Sequence, residues 1–151
     1  MAHPGIFPAM RSPRLPLALL LALAACRSGP PVASATLGDL RISEGFAFRP
    51  ITPASGAAYF RVRNTGATAD TLLEASSPIT KGAMFHGGDM AHVDVIALPP
   101  GGELWLKPGG THLMLTDYDP RPEAGDSLPV TLRFAHAGSV TLKLPVRRYN
   151  E

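Results

Sequence analysis

Residues 84 to 114 hold most of the side chains in this chain that could do metal chemistry: Met84, His86, Met90, His92, His112 and Met114. The remaining histidines and methionines are Met1, His3 and Met10 near the start, and His136 in the turn Ala135-His136-Ala137-Gly138. Thioether sulfur is soft and uncharged, so it selects Cu(I) over hard cations such as Mg²⁺ or Ca²⁺, and imidazole also suits copper. A set of two imidazoles and two thioethers is neutral. It leaves a monovalent ion as a modest single positive charge, which a half-exposed loop tolerates better than a divalent one. Thiolates would bind copper more tightly, but in an oxidising compartment they form disulfides and thioethers do not.

Local geometry pairs these residues. His112 and Met114 are two apart in His112-Leu113-Met114-Leu115, so in a strand they project from one face while the leucines project from the other. His86 and Met90 flank Gly87-Gly88-Asp89, which reads as a three-residue hairpin loop. Closing that loop would oppose His86 and Met90 with their Cβ atoms about 5 Å apart. Two other side chains compete for the place of His86. His92 shares the face of Met90 at a spacing of two, and Met84 lies two before His86.

The elements that must carry these pairs are strands. Alternation with period two runs through Tyr59-Phe60-Arg61-Val62-Arg63, Leu104-Trp105-Leu106-Lys107, Val130-Thr131-Leu132-Arg133-Phe134 and Val140-Thr141-Leu142-Lys143-Leu144. Candidate strands cover 36–42, 57–63, 71–75, 80–86, 90–97, 103–107, 111–116, 128–134 and 138–146. Turn signals such as Asn64-Thr65-Gly66, Pro99-Pro100-Gly101-Gly102 and Pro108-Gly109-Gly110 separate them. With 15 glycines, 16 prolines and no sustained helical period in 151 residues, the chain reads as an all-β, antiparallel sandwich or barrel. Trp105 alternates with Leu104 and Leu106 as a surface or packing aromatic, and Asp89 and His136 read as turn residues.

Met90-x21-His112-x-Met114, with Leu106-Lys107-Pro108-Gly109-Gly110-Thr111-His112-Leu113-Met114-Leu115 inside it, resembles the periplasmic copper chaperones called PCu(A)C, whose signature is H-x10-M-x21-H-x-M. Ala57-Ala58-Tyr59-Phe60, Ala75-Ser76-Ser77-Pro78 and Gly125-Asp126-Ser127-Leu128-Pro129-Val130-Thr131-Leu132 are similar to other parts of that family. The first spacing departs from it: three residues, not ten, separate His86 from Met90. The resemblance implies a cupredoxin-like β-sandwich of about eight to nine short strands. It also implies one Cu(I) per chain on His86, Met90, His112 and Met114, with His92 in reserve. The implied role is a carrier that makes and breaks no substrate bond and hands copper to an oxidase subunit or assembly factor.

The start of the chain reads as an address. Arg11 and Arg14 precede the apolar run Leu15–Ala25, which ends in Leu23-Ala24-Ala25-Cys26, a bacterial lipobox in form. The expected organisation is a lipoprotein signal at 1–25, an acylated Cys26 with a tether at 26–35, and one copper-binding domain at 36–151. This predicts a periplasmic protein held to a membrane by its lipid, and Arg27 in place of Asp favours the outer membrane. Removing Arg11 and Arg14 leaves 12 basic against 12 acidic residues, which excludes a basic binder of nucleic acid. The one cysteine belongs to the lipobox, so a thiolate-ligated blue-copper centre is excluded too. Two other readings compete with delivery: sequestration of toxic copper, and a metal-free sandwich that presents a loop face to an envelope partner.

Overall fold

The computed structural model describes Met1 and residues 31–150; the signal segment, Cys26 and the first part of the tether lie outside the described residues. Everything regular among those residues is β-structure. One run of hydrogen-bonded strands passes through β6 (His92–Val93), β5 (Thr80–His86), β9 (His112–Tyr118), β3 (Ser55–Asn64) and β2 (Leu40–Phe48). It continues through β11 (Gly138–Arg147), β10 (Ser127–Phe134), β4 (Asp70–Ser76) and β7 (Ile96–Leu98). Two further strands, β1 (Ala33–Leu37) and β8 (Glu103–Leu106), add to β2 and β3. All pairings are antiparallel except one: β11 runs parallel to β2 at Val146↔Ala47 and Arg147↔Phe48. Because β11 pairs with β10 along the rest of its length, it joins the two sheets into a nearly closed barrel.

Alternation explains why the sheets face each other. In β10 the buried residues are Leu128, Val130, Leu132 and Phe134, and β11 contributes Leu142, Leu144 and Val146. They meet Phe60 and Val62 of β3, Phe85 of β5, and Leu113 and Leu115 of β9. Burying each such side chain contributes about 1.5–3 kcal/mol, so the register that places all of them inside is strongly preferred.

Eleven strands stand where about nine were expected, because two of the expected runs are each two strands. The run 36–42 is cut by a turn at Gly38-Asp39, where Gly38 has a φ of 56°, and its second half extends to Phe48. The residues up to Phe48 did not read as a strand because the register shifts between Ser43 and Phe46 and Glu44 takes a φ of 56°. An extra residue of this kind breaks the alternation that marks a strand in sequence. The run 90–97 splits into β6 and β7, which pair with β5 and β4 in opposite sheets. The segment expected to be a tether also contributes: Ala33 begins β1, and the Pro31 carbonyl accepts hydrogen bonds from the Arg147 guanidinium.

Candidate metal centre

Strands β5 and β9 place the sequence-predicted donors on one surface. Their register sets His86 opposite His112, Met84 opposite Met114 and Phe85 opposite Leu113. Since neighbours along a strand point to opposite faces, Phe85, Leu113 and Leu115 enter the core while Met84, His86, His112 and Met114 stay on the outer face, half-buried. The rings of His86 and His112 lie edge to face with centroids 5.7 Å apart.

The hairpin after β5 closes differently from the expectation. Gly87 N–H donates to the Ala91 carbonyl at 2.8 Å, Met90 N–H to the Gly87 carbonyl at 2.9 Å, and Ala91 N–H to Asp89 Oδ1 at 3.0 Å. The loop is therefore Gly88-Asp89-Met90, and the residue opposite His86 is His92, not Met90. A three-residue hairpin of this type needs its last residue in the left-handed region, a place that glycine usually fills. Met90 fills it here, with a φ of 65°. Non-glycine residues held in this region cost about 1–3 kcal/mol each.

The tip of this hairpin rests on a second turn. A Cβ placed on Gly88 would lie 3.5 Å from the Gly109 carbonyl oxygen and the Gly110 Cα. That turn, Lys107-Pro108-Gly109-Gly110-Thr111, is closed by Gly110 N–H to the Lys107 carbonyl and by Lys107 N–H to the Thr111 carbonyl. Pro108 presets its first corner and Gly109, at a φ of 75°, takes the second. The two turns thereby bring Met90 to His112 and Met114, and these three side chains line one cavity of about 260 Å³. His86 flanks His112 outside that lining, and Met84 borders a separate hollow beside Ser77 and Lys81.

The nitrogen atoms suit a ligand. His112 Nδ1 lies 3.0 Å from the Gly110 carbonyl oxygen, which can only accept, so in the neutral ring Nδ1 is the protonated nitrogen and Nε2 the one that offers a lone pair. His86 Nδ1 is buried with no hydrogen-bond partner, a state that costs about 1–3 kcal/mol unless something fills it. His92 Nε2 sits 3.0 Å from Asp94 Oδ1 in an exposed pair. Among the described residues no three side chains of His, Cys, Asp or Glu converge on a common point. Any metal at the cavity must therefore draw on the thioethers. Met90 is 57% exposed, which leaves that donor reachable from outside.

The walls that the sequence did not reveal come from distant segments. Ile51, Ala57 and Tyr149 line the cavity beside the donors, and Ile51 and Tyr149 are largely exposed. Tyr149 stacks on Phe48 with centroids 4.7 Å apart, and Phe48 in turn meets Tyr59 edge-on. Burial, and then the nearby Tyr149, push the Tyr59 hydroxyl above its ordinary pKa. No local signal in the sequence marks these residues, since none carries a thioether, thiol or imidazole. Trp105 takes no part in the cavity: it is partly exposed, with the Arg61 guanidinium 4.3 Å and the Lys107 ammonium 4.8 Å from its ring centroid.

A family model for LpqE-like proteins, described as "Putative lipoprotein LpqE-like", matches residues 40–146. The chain belongs to the LpqE-like family. A curated relative, "Putative lipoprotein Lxx21020" of Leifsonia xyli subsp. xyli, is 27% identical over 145 residues, covering 88% of this chain and 87% of the relative. Among solved structures, the LpqE-like chain is similar to the copper-bound PCuAC domain from PmoF2. The TM-score is 0.71 at 28% identity, over 76% of this chain and 97% of that domain. The CuI-DR1885 solution structure from Deinococcus radiodurans shares the fold, with a TM-score of 0.60 at 22% identity over 86% of this chain and 87% of that one. The all-β, cupredoxin-like barrel and the PCuAC type expected from the sequence are thus established.

Proposed function

We propose that this LpqE-like protein is a Cu(I) carrier of the cell envelope, anchored through a lipid on Cys26, with Met90, His112 and Met114 as ligands and His86 as the fourth. The observation that carries the reading is the convergence on one cavity of Met90, His112 and Met114 from two separate turns, with Met90 held in a backbone conformation that costs free energy and that glycine would adopt without strain. An energetic cost kept at the tip of a hairpin, beside two other donors, supports a side chain retained for what it binds. The copper-bound PCuAC domain from PmoF2 supports copper as the ion, and the lipoprotein names of the family and its relative support export and anchoring.

The chemistry fits cargo better than catalysis. Thioethers stabilise Cu(I) and release it to stronger donors, so an acceptor bearing thiolates or imidazoles can displace them one at a time. The exposure of Met90 gives such an acceptor a first point of attack without unfolding the barrel. The acceptor in this reading is a copper-using oxidase subunit or its assembly factor, reached on the periplasmic side of a membrane, with the outer membrane favoured for the anchor.

Competition for Cu(I) against a chromophoric chelator tests the ligand set. Wild type is expected to withhold one equivalent. Met90→Leu/Met114→Leu should lose it, and His86→Ala should weaken it more than His92→Ala does. If wild type does not compete, the carrier reading fails. For the acceptor, a deletion strain should lose oxidase activity that added copper restores. Normal oxidase activity with raised copper sensitivity would mean sequestration instead.

A further inference from the structure

We propose that the outer face of β9, β3 and β2 docks on the surface of a lipid bilayer that bears anionic headgroups. The inference rests on the reading of Cys26 as a lipid anchor, and it adds which side of the barrel that anchor draws to the membrane. Met114 pairs with Ala57, and Ala47 with Ala58. Ala47 and Ala58 point into the core, so Met114, Ala57 and Phe48 follow one another across the outer face. Phe48 there meets Phe46, Tyr59 and Tyr149, with ring centroids 5.4, 5.6 and 4.7 Å away. The chain enters the barrel beside this aromatic group. The Arg147 guanidinium lies 4.3 Å from the Phe46 ring centroid and donates to the Pro31 carbonyl. Between Cys26 and Pro31 stand only Arg27, Ser28, Gly29 and Pro30, a stretch that reaches about 17 Å at full extension. A lipid on Cys26 therefore keeps Pro31, and the aromatic face beside it, close to the bilayer.

What this side exposes suits lipid. Ile51 is 73% exposed and Tyr149 60%, and Val32, next to Pro31, is also exposed. Apolar side chains mixed with tyrosine are what a membrane interface takes up. Arginines stand beside them. Arg121 donates to the Ile51 carbonyl, Arg49 N–H donates to the Arg147 carbonyl, and the exposed Arg148 precedes Tyr149. The nearby carboxylate is that of Glu123, which Arg49 and Arg121 share. Guanidinium groups match lipid phosphates in shape and charge. Asp117 and Asp119 border a separate hollow with Lys81. The outer face of β4, β10 and β11 is made for water instead: the Thr131 and Thr141 hydroxyls bond each other, and Arg133 pairs with Glu74. Ile51 and Tyr149 also line the cavity that holds Met90, His112 and Met114. Docking thus brings that cavity to the level of the headgroups. The acceptor it fits is a protein embedded in the same membrane.

The test uses the full processed chain, extracted from membranes with detergent and returned to vesicles of phosphatidylethanolamine and phosphatidylglycerol. Its mass reports whether Cys26 carries lipid. With that thiol blocked, two variants each offer one free thiol for an environment-sensitive dye: Thr52→Cys beside Ile51, and Lys143→Cys on the exposed side of β11. The dye on Thr52→Cys should shift to the blue and be quenched by lipids brominated high on the acyl chain. The dye on Lys143→Cys should do neither. Both effects should shrink in vesicles of phosphatidylcholine alone, where the arginines meet no net negative charge. Burying one side chain such as Ile51 favours the docked state by about tenfold or more, so Ile51→Asp/Tyr149→Asp should lower the docked-to-free ratio by at least that factor. Both positions are exposed, and an unaltered thermal midpoint checks that the barrel stays folded.

A chain without lipid on Cys26 overturns the anchor and the docking that rests on it. A lipidated chain whose two dyes behave alike overturns the docking alone, as does quenching that survives Ile51→Asp/Tyr149→Asp. A blue shift without quenching, growing with protein density on the vesicle, means that a second copy covers the face, and it overturns the docking too.

Discussion

The two ends of β3 treat buried polar groups in opposite ways. At the far end, Asn64 is nearly inaccessible and every one of its amide atoms is bonded: Nδ2 donates to the Thr68 and Leu98 carbonyls, and Oδ1 accepts from Gly66 N–H. Close by, the buried Asp70 carboxylate accepts from the backbone N–H groups of Thr71, His136 and Ala137. At the near end, beside Ser55 to Ala57, Met90 is strained, the exposed Ile51 and Tyr149 border the cavity, and the neighbouring His86 Nδ1 has no partner. Closed hydrogen bonding marks a region whose polar atoms serve the fold. In the proposed reading, the unpartnered His86 nitrogen and the strain at Met90 are the features that a bound ion would account for.

That contrast can be broken by exchanging the readouts. The largest effect is expected from Met90→Leu/Met114→Leu, which should weaken Cu(I) by more than a hundredfold with little change in the thermal midpoint. Equal loss of stability would make these methionines core filler. Next comes Asp70→Ala, which orphans three backbone donors of a charged acceptor and should cost about 3 kcal/mol or more in a denaturant titration while leaving Cu(I) affinity unaltered. Asn64→Ala should behave alike, at about 2 kcal/mol.

A pH series sharpens the same point. Burial alone would raise the Asp70 pKa, but the bonds from His136, Thr71 and Ala137, with the His136 charge, outweigh it and hold the carboxyl below its usual range. A carboxyl depressed in the folded state stabilises it above the unfolded pKa of about 3.9, and that contribution disappears as the pH falls through the folded value. Wild type should therefore lose stability progressively below about pH 4, whereas Asp70→Asn should show less of that acid-side slope. Smaller still is Met90→Gly. Relief of the left-handed strain, partly offset by glycine's greater chain entropy, should stabilise the barrel by up to about 1 kcal/mol while Cu(I) affinity falls. A Met90→Gly variant that binds Cu(I) as well as wild type would remove the reason for placing a thioether at that tip. His136→Gln, on the exposed turn at the well-bonded end, should leave Cu(I) affinity unchanged.

Much of this was legible residue by residue. Strands such as β5, β9, β10 and β11 could be read because one face of each is packed and the other wet, and period two records that directly. The co-facial pair His112 and Met114 followed from the same rule. The bulge at Glu44 hid the end of β2, and the break after Val93 hid the passage from one sheet to the other, since neither leaves an alternating trace. The hairpin after β5 was placed correctly but its register was not. Gly87-Gly88-Asp89 looked like the loop, yet closure put Met90 inside it and His92 opposite His86.

The sequence by itself determined the kinds of donor present, the strands that carry them and the glycine- and proline-rich turns between those strands. These depend on interactions between residues a few positions apart. Only the tertiary structure decided which donors meet. His86 finds His112, and Met90 finds Met114, because core burial fixes the register of β5 on β9 and because two turns distant in sequence pack tip to tip. Register is set by the whole apolar set of two facing sheets at once, and no single segment of the chain contains that information.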